Sequence, residues 1–123
     1  MTWTSILFAV AVVAAMLLFV RTRQISKKAA VEYLRNGAVV IDVRSAGEFT
    51  AGHLPKAINI PLSEIETVIA RKVKDKNQVL LLHCQSGSRS VEAMRRLKAV
   101  GYENSYNLGS YGRAAQIVGS RID

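Results

Sequence analysis

The chain reads as an α/β sandwich on a mainly parallel sheet, preceded by a single transmembrane helix. Three observations lead there. Short, continuous apolar runs rich in β-branched residues alternate with helical patterns, the appearance of strands buried on both faces of a parallel sheet. A nearly all-apolar block fills residues 3–20. The apolar run 79–82 leads into the only cysteine, after which small turn-forming residues precede another helical pattern.

The first element is the apolar block. At 1.5 Å per residue, about 18–20 residues cover most of a ~30 Å hydrocarbon core. Trp3 suits one interface, and Arg21, Arg23, Lys27 and Lys28 follow at the other. A cleaved secretory signal would carry its charge before the apolar core, and residues 1–5 contain no Lys or Arg. The block has no polar face, which excludes a helix lying in the interface. A retained anchor over 3–20 is therefore expected. Its cationic flank places the N-terminus outside and the domain, residues 24–123, on the cytoplasmic side of the plasma (inner) membrane.

Residues 24–36 follow as a helix capped by Ser26 and closed by Gly37. Residues 38–44 form a buried strand ending in Asp42 and Arg44, and residues 45–51 a short helical turn with Glu48 and Phe49. Gly52 to Pro61 turns into a short strand. Ser63 to Lys72 reads as a helix with a Ser63–Glu66 capping box. A polar turn at 75–78 precedes the central strand. Residues 89–100 are helical, with Val91, Met94, Leu97 and Val100 as the apolar side. Residues 105–108 make a last strand and 111–118 a closing helix.

With 123 residues there is room for one domain. The net charge of +8 raises the question of nucleic acid, but the basic residues are scattered and lack interleaved aromatics. One cysteine and two histidines exclude an internal disulfide and a Cys-x-x-Cys pair, and they suggest no metal site. A free thiol fits a reducing compartment.

The chemistry concentrates at Cys84-Gln85-Ser86-Gly87-Ser88-Arg89-Ser90. Between a strand and a helix, such a loop curls its backbone N–H groups around one centre and adds the positive end of the helix dipole. A cysteine at its entrance loses its proton more readily than a free thiol, and the thiolate is the reactive form. Arg89 supplies permanent charge that can fork onto an oxyanion.

This Cys-x4-Arg segment resembles the rhodanese loop. Protein tyrosine phosphatases carry Cys-x5-Arg, and here Ser90 occupies the sixth place after the cysteine. Further pieces agree in order and spacing. Asp42-Val43-Arg44 with Glu48-Phe49, and Gly52-His53-Leu54-Pro55 with Ala57, Asn59 and Pro61, resemble the first two rhodanese signatures. Gly101-Tyr102 and Asn107-Leu108-Gly109 are similar to the family's end. The resemblance implies a rhodanese-like three-layer α/β/α sandwich. It makes Cys84 the sulfur-accepting nucleophile and Arg89 a charge at the rim that lowers the thiol's pKa. Gln85, Ser86, Gly87 and Ser88 become the cradle for substrate. Asp42, Arg44 and Glu48 support the loop through structural ion pairs, and His53 organises a turn. His83 reads either as a satisfied buried histidine or as a modulator of Cys84.

The implied function is a sulfurtransferase. Cys84 takes sulfane sulfur from a donor such as thiosulfate or a persulfide and gives it to a thiol, to cyanide or to a protein acceptor. No metal or organic cofactor is implied, and no nucleic acid. The rival readings are a rhodanese-fold sulfur carrier or adaptor working with a partner at the membrane, and a cysteine-dependent phosphatase. Two departures from the family stand out. Gly109-Ser110 replaces a Gly-Gly pair, with no tryptophan after it, so the closing helix is expected to pack differently. The loop also lacks an extra Lys or Arg, which points away from thiosulfate and toward a persulfide or polysulfide donor.

Overall fold

The computed structural model describes residues 2–22 and 24–121, without the side chains of 20–22. Among the described residues, six α-helices and four strands follow in the order α1 (Trp3–Thr22), α2 (Lys27–Arg35), β1 (Val39–Asp42), α3 (Ala46–Ala51), β2 (Ile58–Asn59), α4 (Ile65–Lys72), β3 (Leu80–His83), α5 (Ser88–Ala99), β4 (Ser105–Gly109) and α6 (Tyr111–Ser120). The strands form one sheet in the order β2-β1-β3-β4, and every pair is parallel. Strand alternation divides the core. Ile41, Leu80 and Leu82 face α4 and α5 with Ile65, Ile69 and Leu97, whereas Val40 and Leu81 face α2 and α6 with Ala30, Leu34 and Ile117. Each fully buried Leu or Ile contributes roughly 1.5–3 kcal/mol. The result is an α/β/α arrangement, as expected, in which the C-terminal ends of β1, β3 and β4 gather the polar residues Asp42, His83 and Asn107.

Three local expectations change. The α2 helix begins at Lys27 rather than at residue 24, because Ser26 is extended (φ −65°, ψ 149°) and caps the helix by accepting from Ala29 N. Gln24 instead bridges to Asn107, and Ile25 N donates to the Asn107 carbonyl at 2.9 Å. The Ser63–Glu66 capping box is not formed. Pro61 (φ −54°) starts a 3₁₀ turn over Leu62–Glu64, Ser63 lies inside that turn, and neither it nor α4 has a side-chain cap. In α5 the fully buried residues are Ser90, Ala93 and Leu97, with Met94 and Val100 only partly buried. A 3.6-residue period drifts away from a strict three-residue step. The closing helix begins at Tyr111 as expected, and Ser110 caps it by accepting from Arg113 N at 3.2 Å.

The α1 helix carries exposed apolar side chains, including Trp3, Leu7, Phe8, Met16 and Leu18. Among the described residues no helix is long and apolar enough to cross a membrane. The span expected over 3–20 is thus present as a helix but is not established as a crossing. The cationic flank at Arg21 and Arg23 lies outside the described side chains.

Candidate active site

The loop after β3 closes around the Cys84 sulfur. Gly87 N–H donates to Sγ at 2.9 Å, and Ser90 Oγ lies 3.6 Å away. Gly87 is the residue before α5 and adopts φ +103°, a conformation that costs a side-chain-bearing residue roughly 1–2 kcal/mol. That turn swings its N–H toward the sulfur. Burial by itself pushes the Cys84 thiol up, since the residue is wholly inaccessible. Hydrogen bonds from the Ser90 side chain and from the backbone N–H groups of Ser90, Gly87 and Arg89 outweigh burial, and the thiol lies below its ordinary value. The same arrangement offers an anionic sulfur atom a set of donors at a helix N-terminus.

The other loop residues are arranged around this centre. Gln85 is exposed, and its carbonyl accepts from Tyr111 N at 3.2 Å, tying the loop to α6. Ser86 and Ser88 are exposed, with their hydroxyls 3.3 Å apart. Arg89 is partly exposed, and its guanidinium forks onto Glu48 at 2.7 and 3.0 Å. Its charge is thus answered by a carboxylate, and its hydrogen bond toward the sulfur comes from its backbone. Glu48 in turn accepts from Ser45 N in a capping box at the start of α3. The Arg89 side chain, followed by the Ser45 backbone N–H, holds the Glu48 carboxyl down at about 2. Beside Arg89 lies a depression of about 290 Å³, lined also by Val43, Ser45, Pro61, Leu62 and Ser63.

Asp42 and Arg44 form a buried pair behind the loop. Arg44 Nε and Nη2 reach Asp42 at 3.0 and 2.8 Å, Arg44 N donates to Asp42 Oδ1 at 2.9 Å, and Nη2 also donates to the Gly52 carbonyl at 2.7 Å. The guanidinium sits 4.7 Å from the Tyr111 ring centre. Asn59 Nδ2 pins the carbonyls of Asp42 and Arg44, both at 3.0 Å. His83 is fully buried, with Nδ1 3.2 Å from the Cys84 carbonyl and Nε2 3.7 Å from Asp42 Oδ2. Burial pushes the imidazole's pKa down despite the nearby carboxylate. The histidine is therefore not fully satisfied, because Nε2 has no hydrogen-bond partner among the described residues. His53 stacks on Phe49 at 3.8 Å, with Nδ1 against the Phe49 carbonyl, as a turn-organising residue does.

The expected residues thus form two groups. Cys84, Gly87 and the Arg89 backbone make the sulfur cradle, whereas Asp42 and Arg44 brace β1 behind it. Glu48 joins the groups by holding the Arg89 side chain. Sequence reading did not single out Ser90 or Asn107 as site residues. Ser90 Oγ lies 2.7 Å from Asn107 Oδ1, and both residues are buried. Ser90 shares the inward face of α5 with Ala93 and Leu97, and a serine at that helical spacing was the available signal. Asn107 entered only through Asn107-Leu108-Gly109, which resembles the family's end, and that motif did not tie its side chain to the cysteine loop.

A rhodanese-like domain is the class this fold and loop define, and a family model of that description matches residues 26–112. The chain belongs to the rhodanese-like domain family. It is 39% identical over 69 residues to the thiosulfate sulfurtransferase PspE of Escherichia coli, a match covering 56% of this chain and 66% of that relative, just under two thirds of its length. It is 34% identical over 87 residues to the human thiosulfate:glutathione sulfurtransferase, covering 60% of this chain and 76% of that relative. Among solved structures, a rhodanese from E. coli superposes with a TM-score of 0.60 at 35% identity, covering 63% of this chain and 91% of that one. A human single-domain sulfurtransferase gives 0.66 at 28% identity, covering 76% and 96%. Sulfurtransferase is the activity in the names of both relatives and of the human structure.

Proposed function

We propose that this chain is a membrane-held sulfurtransferase that carries sulfane sulfur on Cys84. The observation that carries the reading is the contact between Gly87 N–H and Sγ at 2.9 Å, which aims a backbone donor at the atom that must bear negative charge. In the first step the Cys84 thiolate attacks the outer sulfur of a donor. With thiosulfate, the S–S bond breaks, sulfite leaves with the electron pair, and Cys84 becomes a persulfide anion. In the second step an acceptor attacks the terminal sulfur and the Cys84 thiolate leaves; cyanide gives thiocyanate and a thiol gives a new persulfide. The sulfur is passed on at the sulfane level in both steps, so no external oxidant is needed. With one cysteine in the chain the acceptor comes from outside, as a small thiol or a protein thiol. The loop carries no cation besides Arg89, whose side chain is engaged by Glu48, and this favours persulfide donors over the doubly charged thiosulfate.

What supports a membrane-held arrangement is the exposed apolar surface of α1, with Leu7, Phe8, Val13, Met16, Leu17 and Leu18 all uncovered. The cationic residues after it orient the domain toward the cytoplasmic side of the plasma membrane.

The test uses the full chain in detergent, with thiosulfate and glutathione persulfide as alternative donors and cyanide as acceptor. Thiocyanate formation that disappears in Cys84→Ala, with glutathione persulfide the faster donor, is the expected result. A folded, reduced protein that transfers sulfur from neither donor overturns the reading. Flotation with liposomes, lost when residues 3–20 are removed, tests the anchor.

A further inference from the structure

Ser90 has one hydroxyl proton and faces three acceptors. Its Oγ lies 2.7 Å from Asn107 Oδ1, 3.0 Å from the Gly87 carbonyl and 3.6 Å from Cys84 Sγ. Asn107 takes a second donor on the same oxygen, because Gly109 N–H approaches Oδ1 at 2.9 Å. An amide nitrogen there would face a backbone donor, so the Asn107 atom turned to Ser90 is an obligate acceptor. This arrangement arises at the end of β4, where the pairing with β3 shifts register between Leu82 and His83 and leaves Gly109 opposite His83. Both Ser90 and Asn107 are buried, at 0% and 1% exposure, which confines the exchange to these groups.

We propose that Asn107 is a positioning residue for sulfur transfer, holding the Ser90 proton while Cys84 is a thiol and yielding it once the sulfur carries no proton. In the thiol state Ser90 donates to Asn107 Oδ1, and a lone pair of its oxygen receives the Cys84 S–H. In the thiolate and persulfide states Sγ can only accept. The Ser90 O–H then rotates about its Cβ–Oγ bond and donates to Sγ, while the departed thiol proton goes to solvent and Ser90 keeps its own. Asn107 Oδ1 retains the Gly109 N–H throughout, so the rotation orphans no buried carbonyl. The Gly87 carbonyl, at 3.0 Å, is the weaker competitor. The function of this exchange rests on the sulfur chemistry proposed for Cys84, but its existence does not.

The charged groups around the thiol are the Arg89 guanidinium with Glu48 against it, the Asp42–Arg44 pair with His83 behind the strand ends, and, from α6, Arg113, whose guanidinium donates to the carbonyls of Leu108 and Ile25. Among the described residues, the hydrogen bonds of the Asn107 side chain run to Ser90 and Gly109 and to none of these groups. Titration of the thiol across variants at Asn107 and Ser90 therefore reads the hydroxyl.

The experiment is a double-mutant cycle on the full chain, read as the pH dependence of alkylation by iodoacetamide, to which the single cysteine gives one signal. Ser90→Ala is expected to raise the midpoint. Asn107→Leu removes the strongest competitor for the Ser90 proton. It is expected to lower the midpoint, raising the alkylation rate below it by roughly threefold, about half a pH unit. In the Ser90→Ala background, Asn107→Leu should change nothing. An equal shift in both backgrounds, or a raised midpoint in Asn107→Leu alone, overturns the proposal. A second measurement needs no Asn107 variant: the infrared S–H stretch of the thiol form. It should lie lower in the wild type than in Ser90→Ala, and equal frequencies overturn the proposal. Neither measurement uses a sulfur donor, so failure of the sulfurtransferase reading would be seen separately, in the thiocyanate assay.

Discussion

Removing Asp42 should cost more than removing any exposed charge in the molecule. Its carboxylate is fully buried, and Arg44, at 5% exposure, relies on it for three guanidinium contacts and one backbone contact. In Asp42→Ala the guanidinium remains buried beside Tyr111, with the Gly52 carbonyl as its remaining hydrogen-bond acceptor. Breaking a buried pair from one side costs about 3–5 kcal/mol, because the surviving charge is left uncompensated. For a domain of this size each kcal/mol shifts Tm by roughly 4–8 °C, so a fall of at least about 12 °C is expected. Urea unfolding at unchanged m should show the same loss. Arg44→Leu added to Asp42→Ala should recover part of it, since the stranded charge is gone. A loss under about 1 kcal/mol in Asp42→Ala, or strictly additive losses in the double variant, would refute the idea that this pair is sealed from water.

Acid should weaken the link between α3 and α5. Glu48 in the folded chain stays ionised down to about 2, below its ordinary 4.5, so the unfolded chain takes up this proton first. The contribution is complete above 4.5 and fades as pH falls toward 2. An NMR titration of the Glu48 carboxyl should find the low midpoint, and Arg89→Met should move it back toward 4.5. Gly87→Ala should reduce sulfur transfer by at least roughly tenfold and raise the thiol's midpoint, as followed by alkylation. The added methyl would meet only ordinary contacts, 3.5 Å from Gly109 C, so the cost lies in holding φ at +103°. Transfer and thiol acidity unchanged in Gly87→Ala would mean that this N–H does not hold the sulfur.

Much of the architecture was legible because it rests on local pattern. Continuous apolar runs predicted β1 and β3, Ser26 and Gly37 bracketed α2, and Cys84 to Arg89 stood out as a strand-to-helix loop. The expected capping box at Ser63 failed for an equally local reason, since Pro61 commits the chain to a 3₁₀ turn two residues earlier. The extent of α2 was misread because Gln24 and Ile25 answer to β4, more than eighty residues away. Pairing across that distance leaves no periodicity in a single segment.

The identity of the cysteine loop, the presence of the buried acidic and basic residues, and the apolar N-terminal block follow from the order of residues alone, because each depends on neighbours within a few positions. Which groups reach the sulfur was decided only in three dimensions. Arg89 turned its guanidinium to Glu48, across 41 positions, and Ser90 met Asn107 across 17. A salt bridge or a shared proton needs atoms within about 3 Å, and only the packing of α3, α5 and β4 around one strand end brings these atoms that close.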